Sequence, residues 1–164
     1  MGRTSLRVVF TSDTHGHLLP VDYATGARLG AGVSAIARSA WEGPEASGVP
    51  RGDTLVIDGG DSLQGTPLMR RWMQRGALGT NPAARAFNAL GVDVFTLGNH
   101  DFNFGRDILA GYLQDMDGQC VCANVTDARR ELPIVPWVMR TLESGLVVGI
   151  TGIVTDYVNV WERP

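Results

Sequence analysis

The sequence predicts an α/β protein with a mixed, largely parallel sheet and flanking helices. Short apolar runs rich in Val, Ile and Phe end in Gly, Asp, Asn or Ser, as buried parallel strands do where they lead into loops. Helical patterns lie between these runs, and this alternation is typical of right-handed βαβ units. The 164 residues, 44% of them hydrophobic, are enough for one domain with a single core.

Four strands are predicted from the apolar runs, at residues 6–11, 54–58, 92–97 and 120–124. Two further runs, residues 137–142 and 146–153, flank a short turn that contains Gly145. This arrangement predicts an antiparallel hairpin at the edge of the sheet. The hairpin is the reason to expect a mixed sheet.

Four helices are predicted, and most of their ends carry start or stop residues. Gly43 and Pro44 stop the first helix, Thr66-Pro67 and Asn81-Pro82 start the second and third, and Gly76 and Gly91 end them. The fourth covers residues 106–115. The side chains expected to face the core are Val33, Ile36, Ala37, Ala40 and Trp41 in the first helix, Leu68, Trp72 and Met73 in the second, and Ala83, Ala86, Phe87 and Leu90 in the third. Trp72, Met73 and Phe87 are therefore interpreted as core residues and not as a platform for a substrate.

Composition excludes several classes of function. The formal charge of −3 is unsuited to a nucleic-acid polymer, and all 14 basic residues are arginine, which excludes mechanisms that need a lysine. No apolar run reaches the ~20 residues of a membrane span, and the first predicted strand leaves no room for a signal peptide. We therefore expect no membrane partner and a cytoplasmic chain, although a parent protein could be exported if a signal had been removed. Cys120 and Cys122 are expected to be buried thiols on one face of a strand, which agrees with a reducing compartment.

Polar residues suited to metal binding follow three of the predicted strands. Asp13 and His15 follow the first, Asp61 follows the second within Asp-Gly-Gly-Asp, and Asn99 and His100 follow the third. Carboxylate, imidazole and amide groups are ligands of divalent cations. Because loops at the carboxyl ends of parallel strands gather in one crevice, we expect these side chains to meet there.

The sequence segments around these residues resemble those of a known family. Asp-Thr-His-Gly-His-Leu, Asp-Gly-Gly-Asp-Ser-Leu-Gln-Gly-Thr-Pro and Leu-Gly-Asn-His-Asp-Phe resemble, in this order, the opening blocks of calcineurin-like metallophosphoesterases of the 5′-nucleotidase superfamily. The resemblance implies the N-terminal part of a four-layer αββα sandwich acting on a nucleotide or other small phosphoester. It also implies two divalent metal ions (Mn, Zn, Co or Fe), which can activate water and clamp phosphoryl oxygens.

Roles for individual residues follow from the same resemblance. Asp13 and His15 would bind one metal, Asp61 would bridge both, and Asn99 would bind the second. His100 would touch the phosphate. Asn103 stands where 5′-nucleotidases usually carry an aspartate that pairs with this histidine, and this difference favours the 2′,3′-cyclic-nucleotide 2′-phosphodiesterase/3′-nucleotidase branch.

The chain also lacks features of that family. Residues 1–164 are interpreted as a truncated catalytic domain, since the later histidine motifs and the C-terminal nucleotide-binding domain are absent. Two alternatives to the favoured branch therefore stay open: a 5′-nucleotidase/UDP-sugar hydrolase type of enzyme, or a catalytically incompetent fragment that acts only as a partial metal-binding scaffold.

Two other residues have a competing interpretation. Gly60-Asp61-Ser62-Leu63 spells the motif of a family of serine esterases, but it follows the second strand, and a Ser62–His100 pair has no orienting partner in the sequence. His17 could be a donor beside the site or a loop histidine bonded to backbone, and it is not counted among the ligands.

Overall fold

The computed structural model describes residues 4–42 and 48–161 and has an α/β fold. Its strands are β1 (Arg7–Thr11), β2 (Thr54–Asp58), β3 (Val94–Phe95), β4 (Gln119–Val121), β5 (Ile134–Val135), β6 (Trp137–Thr141) and β7 (Val147–Thr151). Its α-helices are α1 (Val33–Glu42), α2 (Pro67–Gln74), α3 (Pro82–Leu90), α4 (Gly105–Asp115) and α5 (Val158–Trp161), and 3-10 helices cover Arg51–Asp53 and Asn99–Phe102. Within the described ranges, no helix is long and apolar enough to cross a bilayer.

Strands β1 to β5 form one sheet in which the spatial order equals the chain order. All four pairings are parallel, with Val9 opposite Val56 and Asp58 opposite Phe95. Every strand therefore ends at the same edge of the sheet, as the alternation of strands and helices predicted.

The predicted hairpin exists, but its expected position at the edge of the main sheet is wrong. β6 and β7 pair antiparallel in a separate two-stranded sheet, and the edge next to β4 is taken by the parallel strand β5. Pro136 lies between β5 and β6 and has no N–H for a ladder bond, so the chain leaves the first sheet there. The main sheet is consequently wholly parallel among the described residues.

The helices cover one face of the parallel sheet. Side chains alternate along a strand, so Val56 and Phe95 point to the helical side, where they join Phe87, Leu90 and Tyr112 in the core. Leu55, Ile57, Val94 and Thr96 point to the opposite side. There the hairpin sheet begins its approach, since Gly152 lies against the Thr96 side chain and Arg140 donates to the Asp93 carbonyl. Helices, parallel sheet and hairpin form successive layers, which agrees with the predicted fold class.

On that opposite face the edge strand β1 stays open. Val8 and Phe10 are paired with Leu55 and Ile57 and share their face, yet they are 51% and 63% exposed. The hairpin therefore covers the centre of this face but not β1.

The helix ends follow the local chemistry of the sequence. The Thr66 hydroxyl accepts from the Met69 N–H, and Asn81 Oδ1 accepts from the N–H groups of Ala83 and Ala84. Gly91 ends α3 in the left-handed region with φ of 82°. The predicted stop of α1 at Gly43 and Pro44 lies outside the described residues.

The core residues predicted for α2 need correction. Met69 is the fully buried residue of α2, whereas Leu68, Trp72 and Met73 are partly buried and pack against the core from its rim. Phe87 is fully buried, and Cys120 and Cys122 are buried free thiols, as predicted.

Candidate metal centre

Three loops meet at the carboxyl edge of the parallel sheet. Asp13 and His15 follow β1, Asp61 follows β2, and each offers a ligand atom within 4.8 Å of those of the other two. Three of the four predicted metal ligands therefore lie together, and their role as ligands stays a prediction. Two carboxylates and an imidazole form a donor set that suits a divalent cation of the first transition row.

The same three residues have unusual backbone conformations. Asp13, His15 and Asp61 have φ of 52°, 46° and 58°, and they are three of only five non-glycine residues with positive φ in the described ranges. The left-handed region costs a non-glycine residue free energy, although Asp and His tolerate it better than most residues do. Such strain concentrates at functional sites, and here it directs three donor groups toward one point.

Backbone hydrogen bonds join the three loops around Asp61. The Asp13 N–H donates to the Gly60 carbonyl at 3.0 Å, and the His15 N–H donates to the Asp61 carbonyl at 2.9 Å. The His100 N–H donates to Asp61 Oδ1 at 2.8 Å. Asp61 is thus in direct contact with both neighbouring loops through its backbone and its side chain.

Glycines make this close approach possible. A Cβ on Gly60 would stand 2.6 Å from the Leu97 carbonyl carbon, and a Cβ on Gly98 would stand 2.5 Å from the Asp61 nitrogen. Both distances are too short for real atoms, so the turns after β2 and β3 can touch only because these positions carry no side chain.

The orientation of His15 leaves one ring nitrogen available. Its Nδ1 lies 3.1 Å from the Gln64 carbonyl oxygen, which accepts a hydrogen bond from Nδ1–H in the neutral imidazole. Nε2 then carries the lone pair and lies 3.9 Å from Asp13 Oδ1. A backbone carbonyl that fixes the tautomer in this way is a common feature of histidines that bind metals.

The predicted pair of His100 and Asn103 lies beside this cluster. His100 Nδ1 is 2.8 Å from Asn103 Oδ1, and the His100 ring meets the His15 ring edge to face with centroids 5.5 Å apart. Since the Asn103 oxygen can only accept a hydrogen bond, Nδ1 of His100 carries a proton in this contact, and Nε2 takes no part in it. Asn99 stands half-buried between Gly98 and His100, at the start of the 3-10 helix.

Two buried carboxylates support the loops, and the sequence analysis assigned a role to neither. Asp58 is fully buried and accepts from the Thr11 hydroxyl, the Ser62 hydroxyl and the Gly60 N–H. Asp101 is 1% exposed and accepts from four backbone N–H groups of the two loops. Loss of hydration raises the pKa of both, that of Asp58 to about 6. The burial of Asp58 could have been predicted from the sequence, because side chains alternate along β2 and place Asp58 on the same face as Val56.

The structure argues against a serine nucleophile. Ser62 is fully buried, and its hydroxyl donates to Asp58 Oδ1 at 3.1 Å, so no substrate reaches it in this conformation. His17 is exposed, and its ring lies 6.0 Å from that of Tyr23, outside the Asp13–His15–Asp61 cluster.

Known proteins resemble this chain in sequence. No protein-family model matches it. It is 30% identical over 173 residues to the trifunctional nucleotide phosphoesterase YfkN of Bacillus subtilis, a match that covers 96% of this chain and 12% of that protein. It is 31% identical over 169 residues to a 2′,3′-cyclic-nucleotide 2′-phosphodiesterase/3′-nucleotidase of Haemophilus influenzae, covering 96% of this chain and 25% of that protein.

The fold matches as well. The crystal structure of the calcineurin-like phosphoesterase YfkN from Bacillus subtilis superposes with a TM-score of 0.79 at 30% identity, covering 96% of this chain and 51% of that chain. The chain thus spans a quarter or less of the two curated relatives and about half of the solved chain. By sequence and by fold, the chain is similar to one part of the calcineurin-like phosphoesterases of the 5′-nucleotidase superfamily.

Proposed function

We propose that this chain carries part of the metal centre of a phosphoester hydrolase that acts on nucleotides. The observation that supports it most is the convergence of Asp13, His15 and Asp61, with His100 beside them. These donors fit a divalent cation (Mn, Zn, Co or Fe), and Asp61 lies between the loops of both proposed metal sites. Asn99 is proposed as the protein ligand from the loop after β3.

Divalent ions in such a site stabilise negative charge on phosphoryl oxygens and lower the pKa of water. The chain's own groups add positioning. In the protonated ring of His100 both nitrogens carry a proton, so Nδ1–H bonds to Asn103 and Nε2–H is proposed to donate a hydrogen bond to a phosphoryl oxygen as charge develops there. Because Asn103 is neutral, it orients the ring through a hydrogen bond and places no charge beside it.

The favoured substrates are 2′,3′-cyclic nucleotides and 3′-nucleotides. Asn103 in place of an aspartate beside His100 supports this choice, and relatives described as 2′,3′-cyclic-nucleotide 2′-phosphodiesterase/3′-nucleotidases match 96% of the chain. A nucleic-acid polymer and a membrane are not proposed as partners, and a cytoplasmic location is proposed from the sequence alone.

Two alternatives have support of their own. A 5′-nucleotidase type of activity is favoured by a relative described as a probable 5′-nucleotidase, which is 32% identical over 127 residues. A metal-binding scaffold without turnover is favoured by the donor set, because among the described residues the cluster of His, Cys and acidic side chains contains only Asp13, His15 and Asp61. Three protein ligands from this chain are few for a pair of metal ions.

The first experiment measures metal binding. Calorimetry with Mn²⁺ and Zn²⁺ should show weak binding to the chain, and Asp61→Asn should weaken it at least about tenfold because a carboxylate is lost from the cluster. Asp117→Asn, a change at an exposed residue, is the control and should leave affinity unchanged. Equal affinity in wild type and Asp61→Asn would contradict the proposal.

The second step separates the three activities. The Mn²⁺-loaded chain, and a longer protein that contains it, are assayed with 2′,3′-cyclic AMP, 3′-AMP and 5′-AMP. Preference for the first two supports the proposed branch, and preference for 5′-AMP replaces it with the 5′-nucleotidase type. Metal binding without release of phosphate or opening of the cyclic ester, in either protein, identifies the scaffold.

A further inference from the structure

The carboxylate of Asp101 is placed between two loops that carry candidate metal ligands. It lies on the 3-10 helix Asn99–Phe102 and is 1% exposed. Oδ1 accepts from the N–H groups of Ser62 and Leu63 at 2.8 and 3.0 Å. Oδ2 accepts from the N–H groups of Asp61 and Gly98 at 2.9 and 3.0 Å. One oxygen atom therefore joins the turn after β2 to the loop after β3.

The contact between these loops is reciprocal. Asp101 comes from the loop after β3 and accepts from the backbone of Asp61, while the Asp61 carboxylate accepts from the backbone N–H of His100 at 2.8 Å. Neither loop can shift without breaking hydrogen bonds to the other. The distance between Asp61 and the pair Asn99–His100 is therefore set by carboxylate contacts beneath the site.

An ionised carboxylate is the side chain that suits this position. It offers acceptors only, on two oxygens, and four backbone N–H groups converge on it. An amide at the same place would turn its NH₂ group toward two of these donors and leave them without an acceptor. A buried N–H without an acceptor is costly, so the loops would separate in response.

We infer that Asp101 is a positioning residue of the metal centre, which acts by fixing Asp61 relative to Asn99 and His100 and touches neither metal nor substrate. This inference rests on the proposed function for its purpose, although the joining of the loops is a property of the chain without metal. Groups that orient metal ligands typically change metal affinity about 10- to 100-fold when they are removed.

The test compares Asp101→Asn with a matched control. Asp115→Asn alters another carboxylate that accepts a backbone N–H from a different element, that of Asn81 at 2.7 Å, away from the three loops. Both variants are expected to fold and to lose some stability. Calorimetry with Mn²⁺ should show an affinity reduced about 10- to 100-fold in Asp101→Asn and unchanged in Asp115→Asn. Equal affinity in Asp101→Asn and wild type at a temperature where both are folded would overturn the inference.

The conservative variant gives a second readout. Asp101→Glu keeps both acceptor oxygens and should recover part of the affinity lost in Asp101→Asn, as measured by calorimetry and by the Mn²⁺ electron paramagnetic resonance spectrum. Affinity in the Glu variant no better than in the Asn variant, with both folded, would mean that the carboxylate itself is not what positions the ligands.

Amide hydrogen exchange tests the joining of the two loops in the wild-type chain, without metal and without a variant. In the wild-type chain the amides of Asp61 and Gly98 share one acceptor atom, so they should be protected to a similar degree and should gain protection together when Mn²⁺ is added. Independent exchange of the two amides in the metal-free chain would overturn the inference. A wild-type chain that binds no Mn²⁺ but shows this shared protection would defeat the proposed function and leave the joining of the loops in place.

Discussion

Asp58 makes a specific contribution to the pH dependence of stability. It is fully buried, and loss of hydration raises its pKa from 3.8 to about 6 despite hydrogen bonds from Thr11 and Gly60. The folded state therefore holds this proton in a range of pH where the unfolded chain has released it. Stability from this group is present below about pH 4 and is lost as the pH rises through 6. A difference of about two pKa units corresponds to roughly 3 kcal/mol.

Asp58→Asn isolates that contribution because the amide keeps an acceptor oxygen and does not ionise. The free energy of unfolding of the variant minus that of wild type should rise by roughly 3 kcal/mol between pH 4 and 7. Urea titrations followed by tryptophan fluorescence measure it, in the presence of a chelator. Micromolar protein limits aggregation near the isoelectric point of about 5.5. A difference that changes by less than about 1 kcal/mol over this range would refute the argument from burial.

Two further predictions concern the loop after β3. Gly98→Ala should destabilise the fold by about 1 to 3 kcal/mol and weaken Mn²⁺ binding, because its Cβ would overlap Asp61 although φ of −91° suits alanine. Gly111→Ala lies in α4, where a Cβ meets open space, so it should stabilise the fold by up to about 1 kcal/mol and leave Mn²⁺ binding unchanged. Urea denaturation measures the stability of each variant, and calorimetry measures its Mn²⁺ affinity. In a longer, active protein, His100→Asn should lower kcat about 10²- to 10³-fold with metal content retained, and Asn103→Ala should be much milder. Loss of metal from His100→Asn would instead make His100 a ligand.

The sequence predicted the part of the fold that repeats a simple pattern. Strands β1 and β2 were placed to within one residue, because each is a short run of β-branched and other apolar residues that ends in Ser, Gly or Asp. The β3 strand is shorter than predicted, since the ladder to β2 includes only Val94 and Phe95. The hairpin was predicted, but the pattern alone does not tell which sheet a hairpin joins, and Pro136 separates it from the first sheet.

The candidate site was predicted as a set of residues and not as a geometry. Because parallel strands end at one edge of a sheet, the sequence was enough to predict that Asp13, His15 and Asp61 lie close together, as they do. The left-handed backbone at these residues is decided by tertiary contacts, so propensity could not reveal it. Asp101 was missed because a carboxylate that binds backbone N–H groups has the same letter as one that faces solvent.

The hydrogen bonds that assemble the candidate centre join distant parts of the chain. His15 contacts Gln64 across 49 positions, and His100 contacts Asp61 across 39. No short peptide from this chain can therefore reproduce the cluster, and a cation cannot nucleate folding by gathering neighbouring residues as it does in a zinc finger. Metal affinity of the proposed centre should therefore depend on the completed pairing of β1, β2 and β3, and Mn²⁺ bound there should raise the unfolding midpoint by mass action and leave early folding steps unchanged.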